Sequence, residues 1–134
     1  MSAYQTCTTI YKDRDSLVEA LRDLGYEPEV HEAPVSLYGY KGDQRPEKAH
    51  VVLRRSQVGS ASNDVGFVRG ADGIFTATIS DYDSRTNFNE RRQTELKVRY
   101  GYRHTLRTAK AKGYVLAAEK TEAGKMKLTL QRFS

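Results

Sequence analysis

The chain has 134 residues and carries 22 Lys and Arg against 17 Asp and Glu, a net charge of +5. With 38% apolar and 29% charged residues it has the composition of one globular domain over residues 1–134, with enough apolar content for a core. No window reaches the ~18 apolar residues of a membrane span, and MSAYQTCTTIYKDRD has neither the basic leader nor the apolar run of a signal peptide. These exclusions lead us to expect a cytoplasmic protein. The single cysteine, Cys7, builds neither a disulfide framework nor a Cys-based zinc site, and is expected as a small buried apolar residue.

In chain order, YQTCTTIY (4–11) reads as a strand from its Thr, Tyr and Ile content. DSLVEALRDL reads as a helix, with Ser16 and Glu19 at capping-box spacing and Asp13 or Asp15 as alternative caps. Leu17, Ala20, Leu21 and Leu24 form its apolar stripe, and Gly25 suits a left-handed C-terminal residue. Residues 26–32 and 35–40 read as two strands turned at Ala33-Pro34, YKGDQRPEK as a loop, AHVVLRR as a strand, and SQVGSASN as a polar connection. DVGFVRGADGIFTATI is the clearest hairpin, turned at Gly70-Ala71-Asp72-Gly73. SDYDSRTN leads into a long helix over about 88–112 that Gly113 ends. A second hairpin follows, turned near Ala123-Gly124, with Met126, Leu128 and Leu130 on one face of its last strand. The pattern strand, helix, Gly-Tyr, strand, strand occurs twice, at 25–26 and 113–114. The expected fold is α+β, a mainly antiparallel sheet of about eight strands with two helices packed on one face.

The charge is concentrated. Between Arg85 and Lys112 lie nine Lys or Arg against two acids, a surplus of +7; the rest of the chain holds thirteen against fifteen, or −2. At 3.6 residues per turn, Val98, Tyr102, Thr105 and Ala109, edged by Leu106, make one stripe, read as the core face. The opposite face carries Arg92, Leu96, Arg99, Tyr100, Arg103, Arg107 and Lys110. Its like-charge neighbours at three and four residues cost about 0.2–0.5 kcal/mol each in an isolated helix. A solvated face, salt-bridged to acids elsewhere in the chain, is the plain explanation. The functional one is an anion-binding face, on which planar guanidinium forks grip phosphates and Tyr100 stacks on an unpaired base.

Other chemistry is sparse. His31, His50 and His104 are scattered, so no metal or cofactor is expected. Asp81 and Asp83 flank Tyr82, and such a pair is read as turn and helix-entry chemistry. GYKG at 39–42 lacks the length and the Lys-Ser/Thr ending of a P-loop.

The succession of GYKG, AHVVLRR, DVGFVRGADGIF, YGY, AKAKGY and GKMKLTLQRF resembles the Ycf35-like family, also labelled DUF1257, over nearly the whole chain. Its most specific pieces are Asp64–Arg69 with Asp72-Gly73, and Tyr100-Gly101-Tyr102 with Gly113-Tyr114. The family's usual Ser-His-Phe opening is replaced by Ala3-Tyr4-Gln5-Thr6, its closing aromatic is Phe133, and residues 80–92 depart from its pattern. The resemblance implies a shared α+β fold and implies no reaction or catalytic residue.

The resulting expectation is a non-enzymatic module that binds RNA or single-stranded DNA with little sequence preference. Arg92, Arg99, Arg103, Arg107 and Lys110 contact phosphates, Tyr100 stacks, and Arg54, Arg55 and Lys41 extend the track. The alternatives are an assembly protein that meets a partner or a second copy of itself, and a pocket for a nucleotide-like ligand. No membrane contact is expected.

Overall fold

The computed structural model describes residues 3–122 and 125–132, with the side chains of 5–10 and 120–126 outside that description. The elements run β1 (Tyr4–Tyr11), α1 (Arg14–Asp23), β2 (Glu29–Tyr38), β3 (Gln44–Leu53), α2 (Arg55–Val58), β4 (Val65–Arg69), β5 (Phe75–Ser80), α3 (Asp81–Arg85), α4 (Glu90–Ala111), β6 (Tyr114–Glu122) and β7 (Lys125–Arg132). The architecture is α+β. It does not put about eight strands in one sheet. Five antiparallel strands in the order β1-β5-β4-β3-β2 form one sheet, and β6-β7 form a separate two-stranded ladder. No helix of the described residues is long and apolar enough to cross a membrane.

Local chemistry sets the element ends. Asp13 caps α1 by accepting from Ser16 N, so the cap is the aspartate rather than Ser16. Asn89 caps α4 by accepting from Arg92 N. Gly25 and Gly113 leave the two helices at φ +97° and +86°, a conformation that costs a side chain and suits glycine. Ser80 caps α3 by accepting from Asp83 N, with Asp81 and Asp83 in its first turn, in keeping with a helix-entry role for that pair.

Three sequence expectations are corrected. Residues 29–38 form one strand rather than two, because Pro34 is accommodated where the β2–β3 register shifts between Val30 and Val35. The expected loop over 40–48 is mostly strand, the turn being confined to Gly39–Asp43. The expected polar connection after Arg55 contains α2 and runs into Ser62 and Asn63, both buried. The hairpin tip at Ala123-Gly124, the Cys7 side chain and Phe133 lie outside the described residues.

One sheet face is covered by α1 and α4. Leu17 and Leu21 of α1 and Leu96 and Tyr100 of α4 pack on Val51, Leu53, Val65, Phe67, Phe75, Ala77 and Ile79. Each large apolar side chain so buried contributes about 1.5–3 kcal/mol. On the other face Leu37, Ala49 and Val52 form a small second core with Tyr4, Val35 and Val68 against it. Gly66 makes that core possible: a Cβ there would sit 2.5 Å from Ala49 Cβ and 3.0 Å from Leu37 Cδ2.

The expected core stripe of α4 does not face the sheet. Leu96 and Tyr100, placed on the outer face by the helical wheel, are 1% and 2% exposed, and enter the core. Val98, Tyr102 and Leu106 are half-buried and Thr105 is exposed. α4 instead contacts the β6-β7 ladder as well as α1. A wheel reading assumes one buried side, whereas this helix has two.

Candidate functional site

The arginines expected to project from α4 are the rungs of a seam with α1. Arg99 Nε donates to Asp23 Oδ2 at 2.9 Å. Arg103 forks onto the same carboxylate, Nε to Oδ2 and Nη2 to Oδ1, each at 2.7 Å. Arg103 also lies 3.8 Å from Glu19, and Arg107 pairs with Glu19 and, at 3.4 Å, with Asp13. Three arginines thus face three carboxylates. The Arg103 and Arg99 hydrogen bonds hold the Asp23 carboxyl below its ordinary range, against a smaller opposing effect of burial. Burial acts to raise the Asp13 carboxyl, but hydrogen bonds from Ser16 and the charges of Arg107 and His104 bring it down. Arg92 reaches Glu95 at 3.6 Å and lies over the Tyr26 ring. Lys110 alone of the expected ladder has no carboxylate partner among the described residues; it lines a groove with Glu19, Arg103 and Arg107.

Tyr100 is not placed to stack on a base. Its hydroxyl accepts from Lys12 N at 2.9 Å and Asp13 N at 3.0 Å, tying α4 to the start of α1. Its ring packs edge-on against Tyr11 and flat against His104. The aromatic that the guanidinium groups do meet is Tyr102, with Arg99 4.3 Å from its ring centroid.

Arg54, Arg55 and Lys41 fall in a different place, at the far end of β3. Two of the sequence motifs, AHVVLRR and DVGFVRGADGIF, meet there at Asp64, joined by Tyr38 of β2. Its Oδ1 accepts from Arg55 N at 2.7 Å, and its Oδ2 accepts from Tyr38 N and Arg54 Nη1, both at 2.8 Å. Its backbone N–H donates to Tyr38 O, and its carbonyl accepts from the Tyr4 hydroxyl. Burial, then the carboxylates of Asp64 and Asp83, push the Tyr4 phenol up. Beside Asp64, Asn63 accepts from Tyr40 N and donates to Asp83 Oδ2, which fixes the 39–42 turn to the sheet end.

Arg54 is saturated in this network. It donates to both oxygens of Glu29 at 2.8 Å, to Asp64 and to Ser36 O. Its grip holds the Glu29 carboxyl at about 2, well below the ordinary 4.5. Arg55 is in the opposite state. Its Nη1 donates to Tyr40 O at 3.0 Å, and no carboxylate pairs with it among the described residues. It opens on a cleft of about 490 Å³ lined by Tyr38, Gly42, Arg54, Ser56, Gly59 and Asp64. Tyr38 leaves 38% of its surface exposed there. Lys41, next to Gly42 in the chain, is exposed, lies over the Tyr40 ring and likewise lacks a carboxylate.

The structure brings Arg54 and Arg55 to this cleft, with Lys41 next to its Gly42 in the chain, rather than onto the α4 track they were expected to extend. It missed Tyr38, Ser56 and Gly59, whose convergence is a tertiary matter. Asp64 was visible as the head of the DVGF motif. The signal for its role was a lone acid before an apolar strand, which in isolation reads as a turn residue.

No curated protein and no solved structure matches the chain. The family model described as a protein of unknown function, DUF1257, matches residues 20–129. That span takes in the last turn of α1, the whole Asp64 network except Tyr4, and α4. The chain belongs to the DUF1257 family.

Proposed function

We propose that the protein is a non-enzymatic binding module that takes a phosphate-bearing ligand, a nucleotide or the end of a single RNA or DNA strand, in the Arg55 cleft. The observation that carries this reading is the pairing state of two adjacent arginines. Arg54 is spent on Glu29 and Asp64, while Arg55 is held by a neutral carbonyl with its remaining N–H groups uncommitted. A guanidinium so held keeps its fork for a phosphate, with little ordering left to be done on binding. The cleft volume lies in the range of small-ligand sites. Lys41, next to Gly42 of the lining, is the second charge in this reading, and the Tyr38 ring offers a surface for a base. Nothing in the cleft pairs a nucleophile with a base, so the reading is binding without chemistry.

The same geometry supports a limited role for α4. Phosphate binding along Arg99, Arg103 and Arg107 requires breaking their bonds to Asp13, Glu19 and Asp23 first. The salt dependence of a labelled single-stranded oligonucleotide separates the two sites. Two cations engaged in the cleft give a fall in log K of about 1.4 per tenfold salt, at about 0.7 per phosphate. Five engaged along α4 give about 3.5 on the same scale. A shallow slope, together with a rise in melting temperature on adding nucleoside triphosphate, supports the cleft. A steep slope moves the site to α4, and no binding of either probe at low salt rejects the reading.

A further inference from the structure

The two rims of the five-stranded sheet differ in how they are guarded. β2, at one rim, carries Glu29, Glu32 and an internal proline, Pro34, and its ladder to β3 is broken by register shifts. These are the devices by which a rim avoids pairing with another chain. β1, at the other rim, has none of the sequence devices, and its ladder to β5 is regular over Tyr4–Cys7, shifting register once between Cys7 and Tyr11. Its eight residues, Tyr4-Gln5-Thr6-Cys7-Thr8-Thr9-Ile10-Tyr11, include no charge, no glycine and no proline. It pairs with β5 alone, and the β6-β7 ladder, which could have covered it, is a separate sheet.

The register shows which backbone groups are left over. Asp81 N donates to Ala3 O at 2.7 Å, and the ladder continues as Tyr4 with Ser80, Gln5 with Ile79, Thr6 with Thr78 and Cys7 with Ala77. An antiparallel ladder alternates hydrogen-bonded and non-bonded pairs. With Ala3 opposite Asp81 as a bonded pair, Gln5 and Cys7 turn their N–H and C=O groups toward β5. Tyr4 and Thr6 turn theirs away from it, off the rim.

We infer that this rim is a self-association surface, on which β1 of a second copy of the chain pairs antiparallel with β1 to give one continuous ten-stranded sheet. A strand paired antiparallel with itself about a two-fold axis needs no complementary partner sequence. Because β1 is uncharged, the second copy sets no like charges opposite one another. At β2 the same arrangement would bring Glu29 and Glu32 of each copy to a common rim. The inference does not rest on the cleft reading, although the Tyr4 hydroxyl of β1 donates to the Asp64 carbonyl at the cleft.

Two measurements test it. Size-exclusion chromatography with light scattering gives twice the chain mass for the wild type at high concentration and the single mass for Thr6→Pro. Proline at position 6 removes an N–H that β5 does not use, so circular dichroism of that variant matches the wild-type melt at a dilution where the wild type has the single mass. Cys7→Pro, which removes an N–H that β5 does use, lowers the melt. Hydrogen exchange is the second readout and needs no variant. The amides of Tyr4 and Thr6 exchange slowly at high concentration and rapidly on dilution, while those of Gln5 and Cys7 stay protected throughout. A wild type of single mass at every concentration overturns the inference. So does a Thr6→Pro protein that keeps the doubled mass, or Tyr4 and Thr6 amides whose exchange ignores dilution.

Discussion

The α1–α4 seam and the Asp64 cleft both gather arginines, and they use them differently. In the seam, Arg99, Arg103 and Arg107 meet Asp23, Glu19 and Asp13 across two helices, with about a third of each arginine side chain still in water. In the cleft, Arg54 meets an aspartate whose side chain is 1% exposed, and the guanidinium of its neighbour Arg55 pairs with no acid among the described residues. Four of the nine cations in the densest run of positive charge, Arg92, Arg99, Arg103 and Arg107, are thus paired with carboxylates within the fold. The guanidinium that opens on the cleft, Arg55, sits on a short segment with an unremarkable composition. Whether a cation is available for a ligand depends on the acid that folding brings to it, and local charge density does not report that.

The largest effect expected from this contrast is at Asp64. Asp64→Ala leaves the Tyr38 and Arg55 amides without their acceptor while Arg54 keeps Glu29, and should cost about 2–5 kcal/mol by denaturant titration, at about 1–3 kcal/mol for each orphaned amide. A loss under about 1 kcal/mol would place the network outside the folded core, at odds with ordinary buried-pair behaviour. Next is Tyr100→Phe, which keeps the ring and removes the acceptor for Lys12 N and Asp13 N. It should cost about 1–3 kcal/mol and leave nucleotide binding unchanged. A weakened affinity with intact stability would restore the stacking role.

Acid should act on both regions. Glu29, Asp23 and Asp13 all have carboxyls held below their ordinary values in the folded chain. A depressed carboxyl contributes stability that is fully present above its unfolded value and is lost as pH falls through the folded one. For Glu29 that window runs from 4.5 down to about 2. Glu29→Gln should flatten the acid limb of the stability profile over that window, and an unchanged limb would show that Arg54 does not hold the carboxyl. The smallest effect belongs to the seam. A double-mutant cycle on Arg103 and Asp23 should give a coupling of about 0.2–1 kcal/mol that shrinks with added salt, as for exposed pairs.

Much of the fold was legible because its signals are local. The glycines at 25, 73 and 113 sit at positive φ where the sequence called for turns or helix ends. Both long helices and the 65–80 hairpin lie where periodicity and turn chemistry put them. The orientation of α4 was not legible. Leu96 and Tyr100 lie among arginines on the wheel, and only the carboxylates of α1, some eighty residues away in sequence, make that face the inner one. The continuous β2 was missed because Pro34 is a strong local breaker that a register shift accommodates. The cleft was half legible: Lys41, Arg54 and Arg55 were marked by charge, but their grouping depends on Asp64 binding Tyr38 and Arg55 at once.

The most direct test of availability against density is a titration of a fluorescently labelled mononucleotide into three proteins at one low salt concentration. The account predicts that Arg55→Glu weakens binding by about tenfold or more, the loss of a charge-assisted pair, while Arg103→Gln stays within about twofold of wild type. The reverse order, with Arg103→Gln losing the ligand and Arg55→Glu keeping it, would contradict it.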